Sequence, residues 1–570
     1  MLKSAFSVCE NIKMIEQYLN KTDFRSYNDF MKHFKLNVPE NFNFGYDVVD
    51  EWARIQPEKK AILWADDYGN EKTVTYRQFK EYSDKAASYL QSLGIGKGDC
   101  VMLIMKRHIE WWYCMIALHK LGAIAIPASF LLKGKDIIYR CETANIKAII
   151  TCQDDVIMES VDEACCHLKE KGTEVKKICA FDNDIRRMGW LDFWAGLDAA
   201  APFSRVEGIG NDDSMLLYFT SGTTGQPKGV VHDYKYPLCH VLTGRYWLNL
   251  HEESLHLTLC DTGWMMAAWG QFYSLILAGA CIFVYALEGK FCAARLLETI
   301  QKYKITSFFA PPTVYRMMLK EGLEKYDLSS LEYCTTAGEA LYPKIFDDWK
   351  RLTGIRLMEC FGQTETPLMV GSYPWIDARP GTMGLPNPMV DVDVVDDEGN
   401  SCAPNVKGHL VIYLRNGKKP IGLFKEYYGE PELTAHKFSG RYYDTGDMAY
   451  RDELGYYWYE SRADDVIKTS GYRVGPFEVE SVLMQHPAVA ECAITGVPDD
   501  IRGQLIKATI VLSAKYRDKA GDDLVKEIQA FVKSRTAPYK YPRIVEFVAE
   551  LPKTVNGKIR RVAIREESVK

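Results

Sequence analysis

An α/β fold followed by a smaller α+β unit is predicted by three features of the sequence. Continuous apolar runs such as Cys100-Val-Met-Leu-Ile-Met105 alternate with helical patterns at the spacing of βαβ units, which build parallel sheets. Beyond Asp391 the texture turns to short strands and hairpins. Past Ser461, roughly a hundred residues carry their own apolar periodicity, enough for an independent domain. At 570 residues the chain also exceeds what one hydrophobic core supports, so a subdivided large domain plus a smaller one is expected.

Met1 to Asn43 alternate charges and aromatics without a chemical motif and are expected to pack on the surface of the α/β domain. Thr75 stands where an N-cap belongs, Phe79, Tyr82, Ala86, Tyr89 and Leu93 share one face, and Gly94 comes next; a helix is predicted. Cys100 to Met105, His108 to Leu121 and Ala123 to Ile126 then read strand, helix, strand. Gly94-Ile-Gly-Lys-Gly98 precedes its strand rather than following it, so it reads as a turn and not a dinucleotide loop. The alternation continues through Ile137 to Thr143, Ala148 to Thr151 and Lys177 to Ala180.

Tyr218 to Val231 reads Tyr-Phe-Thr-Ser-Gly-Thr-Thr-Gly-Gln-Pro-Lys-Gly-Val-Val, a Ser/Thr/Gly loop between two short buried strands. Hydroxyls, close-approaching backbone N–H groups and the Lys228 charge suit it to phosphate. It is not a Walker A loop, because Pro227 and Gly229 stand where Gly and Ser or Thr are needed. Thr262 to Leu287 is uncharged and long enough for a bilayer, but Gly270, Gln271, Ser274 and Gly279 interrupt it, so a buried helix and then a buried strand are predicted. Ile305 to Phe309 and Tyr333 to Ala337 each end in small-residue turns, as does Leu257 to Leu259. Ligands gather beyond such strand ends, which points to one shared cleft. A turn at Asp396 to Asn400 and strands at Leu410 to Tyr413 and Gly455 to Tyr459 form a small β subdomain. The C-terminal unit adds a helix from Pro476 to Gln485, strands at Glu491 to Ile494 and Ala508 to Leu512, a helix from Gly521 to Val532, and a strand at Ile544 to Val548.

The composition, 47% hydrophobic and 26% charged, is that of a soluble globular protein. A net charge of -6 gives no general affinity for nucleic acid or anionic membrane, so an anionic ligand must meet local charge. The 16 cysteines show no Cys-x-x-Cys spacing, which suggests neither a zinc ribbon nor a disulfide framework and fits a reducing cytosol. Glu10, Lys13 and Glu16 break any secretory signal and do not resemble an Arg-rich transit peptide; a cytoplasmic protein is expected, with no integral membrane span, and a homo-oligomer is compatible with the chain.

Five motifs in order resemble the adenylate-forming superfamily of acyl-CoA synthetases, carrier-protein-loading enzymes and beetle luciferases. They are the loop at 218–229, Phe361-Gly-Gln-Thr-Glu365, Tyr443-Asp-Thr-Gly-Asp447, Ser461 to Arg473, and Pro552-Lys-Thr-Val-Asn-Gly-Lys558. The resemblance implies two half-reactions: carboxylic acid and ATP give an acyl-adenylate and pyrophosphate, then CoA takes the acyl group. It assigns Thr220, Ser221, Gly222, Thr223, Thr224, Gly225 and Lys228 to the phosphates. Gly338, Glu339 and Ala340, with Glu359, Cys360, Phe361, Gly362 and Gln363, line the nucleotide; Thr364 contacts phosphate and Glu365 helps hold Mg²⁺. Asp447 is implied as ribose ligand, Arg462 as a second ribose or phosphate contact, and Lys558 as the catalytic cation that bridges the two substrates.

The same resemblance sets an N-terminal unit at 1–463, with the β subdomain from about 391, and a mobile C-terminal unit at 464–570 hinged at Asp464. Ser470, Gly471, Tyr472 and Arg473 would then approach the adenylate. Arg502, Lys533, Tyr541, Pro542 and Arg543 resemble the CoA contacts of the medium-chain acyl-CoA synthetase branch. Ser461 departs from the family's frequent Gly. Acetyl-CoA synthetases carry Trp-Trp before Gln-Thr-Glu; here Phe361 and Gly362 take those places. Loss of an indole predicts a deep apolar space for medium-chain, branched or aromatic acids. Trp264, Met265, Met266 and Ala337 are candidate walls, with Trp269 read as core. A carrier-protein-loading enzyme and a catalytically silent nucleotide-binding homologue are the alternatives.

Overall fold

Two large mixed sheets stand behind the cleft. The computed structural model describes residues 14–182, 186–220, 226–287, 289–339, 341–438, 440–469, 472–499, 502–537, 539–554 and 558–569. An eight-stranded sheet runs in the order Glu426–Tyr427, Lys228–Asp233, Ser214–Thr220, Ile124–Ala128, Cys100–Ile104, Ile146–Cys152, Lys176–Ala180 and Leu191–Asp192. Its pairs are parallel from Ser214–Thr220 onward and antiparallel at the other edge. A nine-stranded sheet holds Lys60–Asp66, Cys281–Ala286, Leu255–Thr258, Ser307–Phe309, Tyr333–Thr336 and Leu357–Phe361 in parallel, with short antiparallel strands at its edges. The expected turns come after the C-terminal ends of these parallel strands, which sets Gly263, Gly338 and Gly362 on one rim.

Local chemistry explains the elements. Thr75 and Gln78 form a capping box at the start of the helix Tyr76–Ser92. The helix Glu110–Leu121 is buried all round, and its Lys120 is neutralised by Asp50 and Asp84 at 2.7 and 2.5 Å. The uncharged stretch forms Met265–Ala267, a π-helix Ala268–Tyr273 and Ser274–Ala278, then a turn at Gly279 in the left-handed region (φ 69°), then the strand Cys281–Ala286. Among the described residues no helix is long and apolar enough to cross a membrane.

A four-stranded antiparallel sheet, Val392–Val395, Gly408–Tyr413, Tyr442–Arg451 and Tyr457–Arg462, forms the β subdomain. The C-terminal part has its own apolar cluster around Ile494, Ile510, Ile528 and Val532, on a sheet of Val489–Asp499, Gly503–Leu512 and Ile544–Val548.

The N-terminal segment departs from expectation. Tyr18, Phe30 and Phe42 are fully buried within the largest apolar cluster. Phe30 meets Phe24, Tyr246, Tyr373 and Trp375 at ring distances of 5.2 to 5.4 Å, so the segment completes the core instead of lying on it. Phe30→Ala should destabilise the protein by about 3–5 kcal/mol, read as a lowered midpoint in chemical denaturation; an unchanged midpoint would contradict this packing.

Candidate functional site

The loop residues Ser221, Gly222, Thr223, Thr224 and Gly225 lie outside the described residues, as do Ala340, Ser470 and Gly471. The strands that carry the loop are paired in register, with Thr220 opposite Lys228. Lys228 Nζ stands 5.6 Å above the ring of Tyr427, whose hydroxyl donates to Glu365 Oε1 at 3.0 Å. Tyr427 reaches this place because Glu426–Tyr427 pairs antiparallel with Val230 and Val231. The Phe424 N–H donates to the Glu365 carbonyl at 2.8 Å and the Tyr428 N–H to the Gly229 carbonyl at 2.7 Å. One short segment thus staples the strand Lys228–Asp233 to the Glu365 turn.

Thr364 is held through its backbone. Burial pushes His232 down to about 4, so the ring is neutral, and its Nε2 donates to the Thr364 carbonyl at 2.7 Å. Glu365 is partly exposed, and among the described residues its only side-chain hydrogen bond is the one from Tyr427. No cluster of three or more His, Cys, Asp or Glu among the described residues could hold a metal ion alone. A single available carboxylate beside phosphates nonetheless fits Mg²⁺, which binds through one or two carboxylates plus substrate oxygens and water. Glu359 is buried in the middle of the strand Leu357–Phe361 and accepts from the Leu341 N–H at 3.2 Å, which ties the chain after the Gly338-Glu339 turn to the strand; burial pushes its carboxyl up to about 8. Cys360 is buried beside it, and Phe361 packs on Tyr459 at 6.1 Å.

Asp447 is the meeting point. It sits opposite Arg462 in the hairpin register, with a 3.2 Å ion pair to Arg462 Nη1. Gln363 Nε2 donates to Asp447 Oδ2 and, at 2.9 Å, to the Thr445 carbonyl. The Tyr443 hydroxyl donates to Gln363 Oε1 at 3.1 Å, which turns the amide so that its NH₂ faces Asp447. Burial pushes the Asp447 carboxyl up to about 6, opposed by Arg462, Gln363 and the Lys558 ammonium, so Lys558 lies within electrostatic reach. Lys558 itself is exposed.

The expected acid walls come together with one correction. A Cβ on Gly338 would lie 3.1 Å from Met266 Cε. Trp269 Nε1 donates to the Tyr236 hydroxyl at 3.0 Å, which donates to Met265 Sδ at 3.0 Å. Trp264 is partly exposed and Ala337 is buried. The side of Gly362 where a deep apolar space was expected is filled: a Cβ there would fall 2.5 Å from Trp269 Cη2 and 2.9 Å from the Pro367 carbonyl oxygen. An indole from another element has taken that space: Trp269 is buried in the largest apolar cluster, as its reading as core expected, and packs on Gly362.

A model of the AMP-binding enzyme family matches residues 49–428, and one of its C-terminal domain matches 478–558. The chain belongs to the AMP-binding enzyme family. A mouse protein, acyl-coenzyme A synthetase ACSM3, mitochondrial, is 38% identical over 552 residues, covering 96% of this chain and 94% of its own. Mouse acyl-coenzyme A synthetase ACSM5, mitochondrial, is 40% identical over 537 residues, covering 93% and 91%. The solved structure of the anthranilate CoA ligase AuaEII in complex with anthranoyl-AMP superposes with a TM-score of 0.83 at 30% identity, over 93% of this chain and 98% of that one.

In this AMP-binding enzyme the CoA candidates fall into two groups. Lys533 Nζ and the Arg543 guanidinium lie 5.5 and 5.0 Å from the same Tyr541 ring, and Gln529 Nε2 donates to the Pro542 carbonyl at 3.0 Å. Arg502 precedes Gly503, where a Cβ would lie 3.3 Å from the Lys468 carbonyl, so it sits beside the paired strands Ile467–Thr469 and Tyr472–Val474; Tyr472 stacks on Tyr539 at 4.0 Å. Arg473 opposes Lys468 in the hairpin. Asp464 Oδ1 lies 3.8 Å from Arg462 Nε, while Asp465 pairs with Arg565 at 2.5 Å and Arg561 at 3.7 Å on the last helix. Phe477 stacks on Tyr342 at 5.5 Å and Arg316 pairs with Glu491 at 3.1 Å, holding the C-terminal part where Lys558 is within electrostatic reach of Asp447.

Protonation of Asp447 removes a charged acceptor, and its raised pKa places that loss below about pH 6. The expected outcome is an acidic limb in kcat/KM for ATP near that pH, absent from a weakened Asp447→Asn enzyme; an identical limb in both would contradict the assignment.

Proposed function

We propose that the chain is an ATP-dependent acyl-CoA synthetase: a carboxylic acid and ATP give acyl-AMP and pyrophosphate, and the CoA thiol then gives acyl-CoA and AMP. The observation that carries this is the convergence of Gln363, Arg462 and Lys558 on buried Asp447. Its likeness to acyl-coenzyme A synthetases over nearly its whole length supports the same activity, and the anthranoyl-AMP complex supports an acyl-adenylate on this fold. The acid is medium-chain, branched or aromatic rather than acetate.

In the first half-reaction the acid's oxygen attacks the α-phosphorus and the bond to pyrophosphate breaks. Both partners are anions, so the site must supply positive charge where negative charge accumulates. Lys228 serves the leaving group from the fixed strand, and Lys558 the attacking carboxylate and α-phosphate from the C-terminal unit. Glu365 and Thr364 would hold Mg²⁺ and phosphate, the ion adding charge neutralisation when bound. Asp447 takes the ribose hydroxyls. In the second half-reaction the thiol sulfur forms a bond to the acyl carbon, and AMP leaves as the mixed anhydride opens. We place the hinge at Asp464: Asp464 faces Arg462 on one side while Asp465 is pinned to the last helix on the other, so rotation between them would carry Lys558 away as one body with that helix. Lys533, Tyr541, Arg543 and Arg502 then meet the CoA phosphates.

Acid-dependent AMP formation, assayed with CoA or a carrier protein across straight, branched and aromatic acids, tests the activity; product only with the carrier protein would replace CoA, and no pyrophosphate from any acid would overturn it. Lys558→Ala should lower acid-dependent pyrophosphate release about 100-fold or more while leaving CoA transfer from preformed acyl-adenylate nearly intact. Equal loss of both would contradict the division of roles.

A further inference from the structure

We propose that Arg316 is a positioning residue for the first half-reaction: through Glu491 and Lys553 it fastens the paired arms that present Lys558 to the unit that carries the nucleotide turn. This rests on the acyl-CoA synthetase reading and adds to it a residue outside the ATP, acid and CoA contacts.

A chain of charge links the two units. Glu491 uses both carboxylate oxygens: Arg316 Nη2 donates to Oε1 at 3.1 Å and Lys553 Nζ to Oε2 at 2.9 Å. Arg316 Nη1 also donates to the Ala490 carbonyl at 3.5 Å. One carboxylate thus joins a cation of the N-terminal unit to a cation five residues before Lys558.

Lys553 belongs to the structure that sets the Lys558 backbone. It forms an antiparallel bridge with Ile559, the Thr554 N–H donates to the Lys558 carbonyl at 2.7 Å, and the Lys558 N–H donates to Thr554 Oγ1 at 3.1 Å. The Arg560 N–H donates across the same arms to the Pro552 carbonyl at 2.8 Å. Fixing Lys553 therefore fixes the point from which the Lys558 side chain starts.

At the other end, Arg316 stands on a helix that cannot give way. Pro312–Glu321 is pinned to the nine-stranded sheet by Tyr315, which is fully buried and donates its hydroxyl to the Thr335 carbonyl at 2.9 Å. Three residues before Arg316, on the same helical face, Thr313 Oγ1 donates to Glu339 Oε2 at 2.8 Å, in the turn assigned to the nucleotide. The helix takes its place from that turn and passes it to Glu491.

The exposure of the pair suits a contact made and broken in each cycle. The Arg316 and Glu491 side chains are 18% and 24% exposed. An open surface pair would hold little, and a fully buried one would strand two charges on opening. Rotation about Asp464 would part Arg316 from Glu491 but leave Glu491 on Lys553, since both lie in the moving unit. Arg316 therefore favours the adenylating orientation alone.

The test measures acid-dependent pyrophosphate release and CoA transfer from preformed acyl-adenylate, each in single turnover, for wild type, Arg316→Ala, Arg316→Lys, Glu491→Gln and Arg316→Ala combined with Glu491→Gln. Arg316→Ala should slow pyrophosphate release about 10-fold, the coupling expected within one ion-pair network, with CoA transfer unchanged or faster. Arg316→Lys should recover most of the loss. Glu491→Gln should slow the same step alone, and adding Arg316→Ala to it should cost little more, because the pair is already broken. That isosteric variant keeps the test open if Arg316→Ala does not fold. No slowing, equal slowing of both half-reactions, or fully additive losses would overturn the proposal while leaving the ligase activity standing. Failure of wild type to release pyrophosphate with any acid would instead strike the activity and take the proposal with it.

Discussion

The site depends on one buried carboxylate. Asp447 is 3% exposed, and a charge in that position is costly unless it is paired and hydrogen-bonded. Its partners come from separate parts of the chain: Arg462 across the hairpin and Gln363 from the turn after Leu357–Phe361. Gln363 arrives only if the β subdomain is docked on the nine-stranded sheet. The Tyr443 hydroxyl on Gln363 completes the arrangement by fixing which end of the amide meets the carboxylate. The docking of the β subdomain is thus tied to the burial of one carboxylate.

A second constraint joins Lys228 to Glu365. The segment from Phe424 to Tyr428 bonds by its backbone both to the Glu365 turn and to the strand after the phosphate loop, and Tyr427 touches Glu365 and Lys228 together. The acidic and basic groups on the fixed side therefore move as one piece. Lys558 stands apart from that piece, on a part of the chain that meets the rest through Phe477 on Tyr342 and Tyr459, Arg316 on Glu491 and Lys407 on Glu478.

Much of this was legible in the sequence, where local chemistry or motif spacing carried it. The N-cap at Thr75 and the parallel strands with their terminal turns stand where the pattern put them, and the motif residues Gln363 and Arg462 meet at Asp447. What escaped depends on partners far away in the chain. Tyr427 acquires its place by pairing with Val230, which no local spacing signals. Trp269 lies in an uncharged stretch that reads as core, and a π-helix does not show in a 3.6-residue period; only the meeting with Gly362 reveals it. The aromatic residues before Asn43 have irregular spacing, and their burial is decided by Tyr246 and Trp375.

Contact between Asp447 and the ribose is the central claim, and a chemical double-mutant cycle tests it most directly. Calorimetric binding of ATP and of 2′-deoxy-ATP would be measured for wild type and for Asp447→Asn. Removing the hydroxyl should weaken binding to wild type by about 10-fold or more, the worth of one charge-assisted hydrogen bond, and should change binding to Asp447→Asn little. Equal losses in the two proteins would mean that the carboxylate does not contact the sugar.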